Sequence, residues 1–178
     1  DDATVPLAWT LGEPGAGMPA AVGQIADTRL LLAARATGLL LWLRDWLEPR
    51  LAAPRRGGPL AEREGVRLRY GDLAMRAYAA RSALDRTARL ADQRRAEGAD
   101  PARAVLNEGM ASKLLAVEAA EAFVDAAIQW LGGEALVEDH PLVAARDRVR
   151  TWRLAEGADD TLRLNVARGR FEYGAGSL

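Results

Sequence analysis

Apolar residues recur at helical spacing over two long stretches of the sequence. Between Pro59 and about Arg95 they fall on one face, with Arg and Asp on the other: Val66, Leu73, Ala77, Ala80, Leu84 and Ala88. A second stretch runs to about Leu131 with a similar stripe: Leu114, Val117, Ala120, Val124, Ala127 and Leu131. Spacings of three, four and seven predict two amphipathic helices. Asp100 is the predicted N-cap of the second, with Pro101 in its first turn, and Gly132-Gly133 is the predicted stop.

An earlier helix is predicted from Pro19 to about Leu47, where Pro49 ends it and a loop follows. Its apolar residues cover nearly the whole circumference: Leu30, Leu31, Leu32, Leu39, Leu40, Leu41, Trp42, Leu43, Trp46 and Leu47. A helix that is apolar all round is buried on several sides. A domain of this size cannot easily surround it, so we expect contact with another domain or subunit.

Two shorter helices are predicted near the end, one from Pro141 to about Ala155 and one capped by Asp159 or Asp160 and running to about Arg170. Residues 1–18 are rich in proline and glycine and predict irregular chain with a short strand near Val5. Their GEPGAG lacks the Gly-Lys-Ser/Thr of a phosphate loop and is interpreted as a turn. Residues 19–178 therefore form the domain, an all-α, antiparallel up-and-down bundle of about five helices.

Composition excludes several classes of function. The 178 residues favour one domain, and 24 Lys and Arg against 25 Asp and Glu lack the basic excess of a nucleic-acid-binding surface. With no cysteine and one histidine, no metal site is expected. The most apolar stretch, Leu30 to Leu47, is interrupted by charged residues, so no membrane span is expected. A cytoplasmic location is the default prediction.

Glu156 is the best candidate for chemistry. It is predicted in the last turn of the fourth helix, where the negative end of the helix dipole disfavours an anion, and Trp152, Leu154 and Ala155 are predicted to desolvate it. Both effects favour proton uptake by a carboxylate, as a general base requires. The alternative is an ordinary surface glutamate near a helix end.

Other polar and glycine positions allow weaker interpretations. Gln129 with Gly132 and Gly133 would let a ligand phosphate approach the backbone closely, although a plain helix stop is the stronger explanation of the glycines. His140 is interpreted as part of the cap before Pro141 rather than as a catalyst.

Four further side chains receive structural interpretations. Trp42 and Trp46, four residues apart, are interpreted as core or interface rather than as a cofactor site. The pair Arg55-Arg56 is interpreted as a solvated loop.

The order of motifs resembles the C-terminal helical domain of the acyl-CoA dehydrogenases, flavoproteins that oxidise acyl-CoA thioesters. The resemblance covers essentially the whole chain, including residues 1–18, which resemble the end of the family's middle β-domain. Its motifs are Val5-Pro6 with Leu11-Gly12-Glu13, Arg29 with Gly38, Pro59-Leu60 with Gly71-Asp72-Leu73-Ala74, Lys113, IQWLGG (128–133), Glu138-Asp139 with Pro141, RTWRLAEG (150–157) and NVAR (165–168).

This resemblance implies that Glu156 is the catalytic base, which takes the α-proton of the acyl-CoA while the β-hydrogen leaves as hydride to the flavin. Thr28 occupies the family's alternative base position and is not acidic, which favours Glu156. Arg29 matches a position near the CoA nucleotide. The segment matching the contact to the FAD of a neighbouring subunit contains Gln129, Gly132 and Gly133. An electron-transfer flavoprotein or a similar acceptor is the implied redox partner, in a homo- or heterotetramer.

The sequence departs from the family pattern at one loop. The family's R..FG, whose Arg and Phe hold a neighbour's FAD, is degenerate at residues 53–58, where Arg56 replaces the Phe. Ala135 and Ala158 replace a glycine and a threonine that are common in the family. The N-terminal helical domain and most of the β-domain are not in this sequence, so we expect the chain alone to be inactive. The expected function is the C-terminal domain of an FAD-dependent acyl-CoA dehydrogenase that supplies base and oligomer core; the alternative is a non-catalytic helical assembly subunit.

Overall fold

The computed structural model describes residues 2–100, 104–174, 176 and 178, with only the backbone at 19, 20, 22 and 23. Within these residues there is no strand, and the chain forms a bundle of five helices: α1 (Gly17–Ala52), α2 (Glu64–Ala96), α3 (Leu106–Leu131), α4 (Pro141–Trp152) and α5 (Asp159–Phe171). The predicted all-α bundle is confirmed. The short strand predicted near Val5 is wrong, because that region contains only a 3-10 turn at Leu7–Trp9.

Helix α3 is the centre of the bundle and packs against each of the other four helices. Its predicted stripe is confirmed: Leu114, Val117, Ala120, Val124 and Ala127 are buried. Alanines on this helix are fully enclosed, so neighbouring helices approach its backbone closely. Burying each larger side chain contributes about 1.5–3 kcal/mol to the stability of the fold.

Helix α1 buries one stripe against α3 and leaves apolar side chains outside it. The stripe repeats every three or four residues through Leu32, Ala36, Leu40, Leu43, Leu47 and Leu51. Leu31 and Trp42 lie off the stripe and are 59% and 39% exposed. Within this chain the helix is therefore buried on one side only, and the rest of its apolar surface faces outward.

The predicted end of α1 is wrong, since the helix passes through Pro49 to Ala52. A proline inside a helix removes one N–H donor and crowds the carbonyl four residues before it. Here that carbonyl belongs to Asp45, while the Arg50 side chain donates to the next one, the Trp46 carbonyl (2.6 Å), and Leu51 is buried in the core. Because Pro49 lies only three residues from the helix end, core packing of Leu51 outweighs its cost.

The predicted starts of α2 and α5 differ from the observed ones by a few residues. Helix α2 begins at Glu64 after a 3-10 turn at Leu60–Glu62, later than the predicted start at Pro59. The predicted helix start at Pro101 lies outside the described residues. The N-cap of α5 is Ala158, so neither Asp159 nor Asp160 is its cap. No helix within the described residues has both the length and the hydropathy required to cross a bilayer.

Candidate functional site

Glu156 lies in a turn between α4 and α5, not in the last turn of a helix. Helix α4 ends at Trp152, and turns occupy residues 153–156. Glu156 has φ +59°, the one positive φ of a non-glycine residue in the described chain. Such a conformation costs about 1–3 kcal/mol and persists only where its surroundings impose it. The predicted placement at the negative end of α4 is therefore wrong, because the backbone has already left the helix.

The Glu156 carboxylate is held by a hydroxyl on α1. Thr28 Oγ1 donates to Glu156 Oε2 at 2.7 Å, closer than to the backbone carbonyls of its own helix at 3.0 and 3.3 Å. Glu156 is half-buried, whereas Leu154, predicted to desolvate it, is 62% exposed. The carboxylate is thus oriented by a hydrogen bond and open on one side.

Arg29 fixes the backbone of the same residue. Its Nε donates to the Glu156 carbonyl oxygen at 2.9 Å, and its side chain is half-buried. Desolvation lowers the pKa of Arg29, and the nearby Glu156 charge partly opposes this shift. Arg29 also lines a cleft of about 540 Å³ between the start of α3 and α5; other lining residues include Asn107, Met110, Asn165 and Arg168.

Lys113, which sequence reasoning used only as a family match, approaches the turn from α3. It is completely buried, and its Nζ donates to Arg153 O (3.3 Å), Gly157 O (3.1 Å) and Asp159 Oδ1 (3.0 Å). The Arg153 guanidinium donates to Asp159 Oδ2 at 2.5 Å and pairs with Glu121. A sequence signal was present: Lys113 is the single lysine beside 23 arginines.

The pKa of Asp159 reflects these contacts. Burial by itself raises the pKa of a carboxyl group, but the hydrogen bonds and charges of Lys113 and Arg153 outweigh it and hold the pKa of Asp159 below its usual value. The same contacts outweigh desolvation at Arg153, whose pKa is raised. The pair of basic side chains thus keeps Asp159 ionised within the fold.

The second predicted group lies at the other end of α3. Gln129, Gly132 and Gly133 are all exposed, and Gly132 (φ +69°) ends the helix as predicted. Apart from adjacent backbone, no atom of the described residues lies within 4 Å of a Cβ placed on either glycine, so the backbone is open to close approach. Sixteen helical residues separate Gln129 from Lys113, a rise of about 24 Å. The structure therefore does not bring this glycine turn to Glu156.

The structural interpretations of His140, Trp46 and Arg55-Arg56 are confirmed, and the interface interpretation of Trp42 stays a prediction. His140 caps α4, because its Nδ1 accepts from the Leu142 N–H at 3.3 Å. Trp42 and Trp46 stack with ring centroids 5.4 Å apart, and Trp46 packs against the core. Arg55-Arg56 lies exposed in the loop after α1.

Comparisons with known proteins point to one family. The family model of the acyl-CoA dehydrogenase C-terminal domain matches residues 15–171. The mitochondrial short-chain specific acyl-CoA dehydrogenase of Sus scrofa is 30% identical over 171 residues, which are 94% of this chain and 39% of that protein.

Two solved structures show the same fold. A putative acyl-CoA dehydrogenase from Mycobacterium abscessus superposes with a TM-score of 0.78 at 31% identity, over 91% of this chain and 39% of that one. An acyl-CoA dehydrogenase from Bacillus anthracis complexed with FAD gives a TM-score of 0.86 at 22% identity, over 98% of this chain and 32% of that one.

The chain belongs to the acyl-CoA dehydrogenase family, and the part matched is that family's C-terminal helical domain. It spans about two fifths of the length of the curated relatives it matches.

Proposed function

We propose that this chain is the C-terminal domain of an FAD-dependent acyl-CoA dehydrogenase, with Glu156 as its general base. The observation that carries the proposal is the fixation of Glu156 on a strained turn, with its carboxylate bonded to Thr28 and its carbonyl to Arg29. Strained backbone held by two separate contacts is a feature of functional sites. A surface glutamate without a role needs neither contact.

In this mechanism the Glu156 carboxylate removes the proton on the carbon next to the thioester carbonyl. Because Thr28 donates to Oε2, Oε1 is the oxygen that accepts the proton. FAD, when bound, supplies the acceptor for the hydride that leaves the β-carbon. Arg29 holds the Glu156 carbonyl in place, so the turn cannot rotate when the carboxylate changes charge.

The residues proposed to hold FAD are Gln129, Gly132 and Gly133. Two observations fit a bound ligand. All three residues are exposed, and no described atom beyond the adjacent backbone lies within 4 Å of a Cβ position on either glycine. Since they lie far along α3 from Glu156, they would serve the flavin of a neighbouring subunit. That arrangement requires an oligomer, for which the exposed Leu31 and Trp42 of α1 offer apolar surface.

We place the acyl-CoA substrate beside Arg29, at the cleft it lines with Asn165 and Arg168. Arginine is suited to the phosphates of a CoA nucleotide because its guanidinium forms paired hydrogen bonds. An electron-transfer flavoprotein or a similar acceptor would reoxidise the flavin, and a cytoplasmic location stays a prediction.

A heterotetramer is the form of the enzyme that the degenerate loop favours. Residues 53–58 contain no aromatic side chain, and Arg55-Arg56 is exposed there rather than packed. A chain with a base but without this FAD contact would pair with a second subunit type that supplies it. Flavin counting on the purified complex tests this: one FAD per chain in a homotetramer would contradict it. A flavin-free full-length protein that binds a flavin-containing relative would instead favour the non-catalytic assembly subunit.

The base assignment is tested by Glu156→Gln in the full-length protein. This variant keeps the shape of the side chain and can still accept from Thr28, but it cannot take a proton. We expect dehydrogenation of acyl-CoA to be lost while FAD content, measured by absorbance, is retained. Glu138→Gln, at an exposed loop position, is the control and should turn over normally. Full turnover by Glu156→Gln would refute the assignment.

A further inference from the structure

The ammonium group of Lys113 is buried without any exposure, and a buried charge is costly unless it is fully paired. An ammonium has three N–H donors, and this one has three acceptors: two backbone carbonyls and one carboxylate. Each of the three N–H donors of the Lys113 ammonium therefore has an acceptor. A guanidinium, which is planar and larger, does not match three acceptors around one point.

The residues that supply the three acceptors lie on both sides of Glu156 in the sequence. Arg153 O lies three residues before it, Gly157 O one residue after it and Asp159 Oδ1 three residues after it. One buried atom of α3 thus ties both ends of the turn that carries the proposed base. Arg29 and Thr28 bind the same turn from α1, on the carbonyl and carboxylate of Glu156 itself.

A second ion pair braces these contacts. The Arg153 guanidinium donates to Asp159 Oδ2, so the two carboxylate oxygens of Asp159 are bonded to different cations. Arg153 is also paired with Glu121 of α3. Asp159 is the first residue of α5, where the positive end of the helix dipole favours a carboxylate. The start of α5, the end of α4 and the middle of α3 are joined through one network.

We propose that Lys113, with Asp159 and Arg153, is a positioning residue for Glu156: it fixes the turn in the conformation that aims the carboxylate. This inference rests on the proposed function for its catalytic consequence. Lys113 touches neither the Glu156 carboxylate nor any reacting atom, and it acts through the backbone of residues 153–157. The ammonium form is needed because no neutral side chain has three N–H donors on one atom, as two carbonyls and a carboxylate require.

The variant that tests the positioning is Lys113→Met, which keeps most of the apolar stem and removes all three donors. Amide hydrogen exchange of residues 154–158 is measured on the full encoded protein. We expect exchange there to rise by about tenfold or more, the factor that loss of one charge-assisted hydrogen bond produces. Leu73→Ala is the matched control, because it opens a cavity in the core on α2, which contributes no residue to the network. Leu73→Ala should not raise the hydrogen exchange of residues 154–158 more than that of the rest of the chain.

A second measurement separates positioning from mere stabilisation. In the flavin-loaded enzyme, Lys113→Met should lower kcat by about tenfold or more while KM stays within about twofold, because misplacing a base slows the chemical step. Leu73→Ala should leave kcat per bound FAD unchanged. If Lys113→Met does not fold, Asp159→Asn is measured in its place. The amide oxygen of the new side chain still accepts from Lys113, but the amide nitrogen cannot accept from Arg153, so the ion pair between residues 153 and 159 is lost.

Three results would count against the inference or separate it from the proposed function. Unchanged exchange at residues 154–158 overturns the positioning of the turn, and a loosened turn with normal kcat overturns its role for the base. If the parent protein has no dehydrogenase activity, the proposed function fails. The exchange measurement then still decides whether Lys113 fixes the turn.

Discussion

Replacing Gly157 with alanine should destabilise the fold through two contributions that the structure separates. At φ +111° an L-residue is strained by about 1–3 kcal/mol. The new Cβ would also lie 2.8 Å from Leu162 Cδ2, and Leu162 is fully buried and cannot swing into solvent. Overpacking of this kind costs about 1–3 kcal/mol. After an offset of about 0.4–1 kcal/mol from the stiffer unfolded chain, the free energy of unfolding should fall by about 1–5.6 kcal/mol.

Gly132→Ala is the matched control for this experiment, because Gly132 also has positive φ (+69°) but no atom within 4 Å of the new Cβ. It should suffer the backbone strain alone, about 1–3 kcal/mol before the same offset. The assay is urea-induced unfolding followed by helical circular dichroism. With an m-value of about 2 kcal/mol per molar urea, the two midpoints should differ by about 1 M. Equal midpoints would show that Leu162 adapts without cost and would refute the steric argument.

Two further predictions concern the same turn. Because Glu156 has φ +59°, Glu156→Gly should be about 1 kcal/mol more stable than Glu156→Ala in the same assay, and the reverse order would contradict the strain. The lowered pKa of Asp159 contributes stability that is present above the unfolded pKa of about 3.9 and is lost as pH falls through the folded value. Unfolding free energies measured from pH 6 to pH 3 should therefore fall less steeply for Asp159→Asn than for the parent. Asp160→Asn, at an exposed position, controls for the loss of one negative charge.

The sequence predicted the architecture well because its main signal is long apolar periodicity. The stripe of α3 is interrupted by no competing pattern, and Gly132 supplies a stop that only a flexible residue allows. Boundaries set by tertiary packing were less accessible. Pro49 indicates a helix end, but the helix continues past it to Ala52, and Leu51 is buried in the core, which no local rule predicts.

The sequence predicted the central residue of the candidate site, Glu156, but not the residues that hold its turn in place. Glu156 was chosen by a helix-end argument that is wrong, since Ala155 and its neighbours carry no local stop signal before Gly157 and α4 nevertheless ends at Trp152. Beyond that end, the carbonyls of Arg153 and Gly157 accept from Lys113, which lies 40 or more residues away in sequence. Hydrophobic periodicity does not predict a contact between residues so far apart in sequence, although the sequence does show Lys113 as the single lysine among 23 arginines.

That lone lysine also determines how the protein meets amine-directed chemistry. Acylating labels and aldehyde cross-linkers attack uncharged side-chain amines that solvent can reach, and this sequence offers them only Lys113, which solvent does not reach. Modification of Lys113 would therefore require α3 to part from the turn. The rate at which Lys113 becomes labelled then measures that opening, followed in the one peptide of residues 1–178 that contains a lysine.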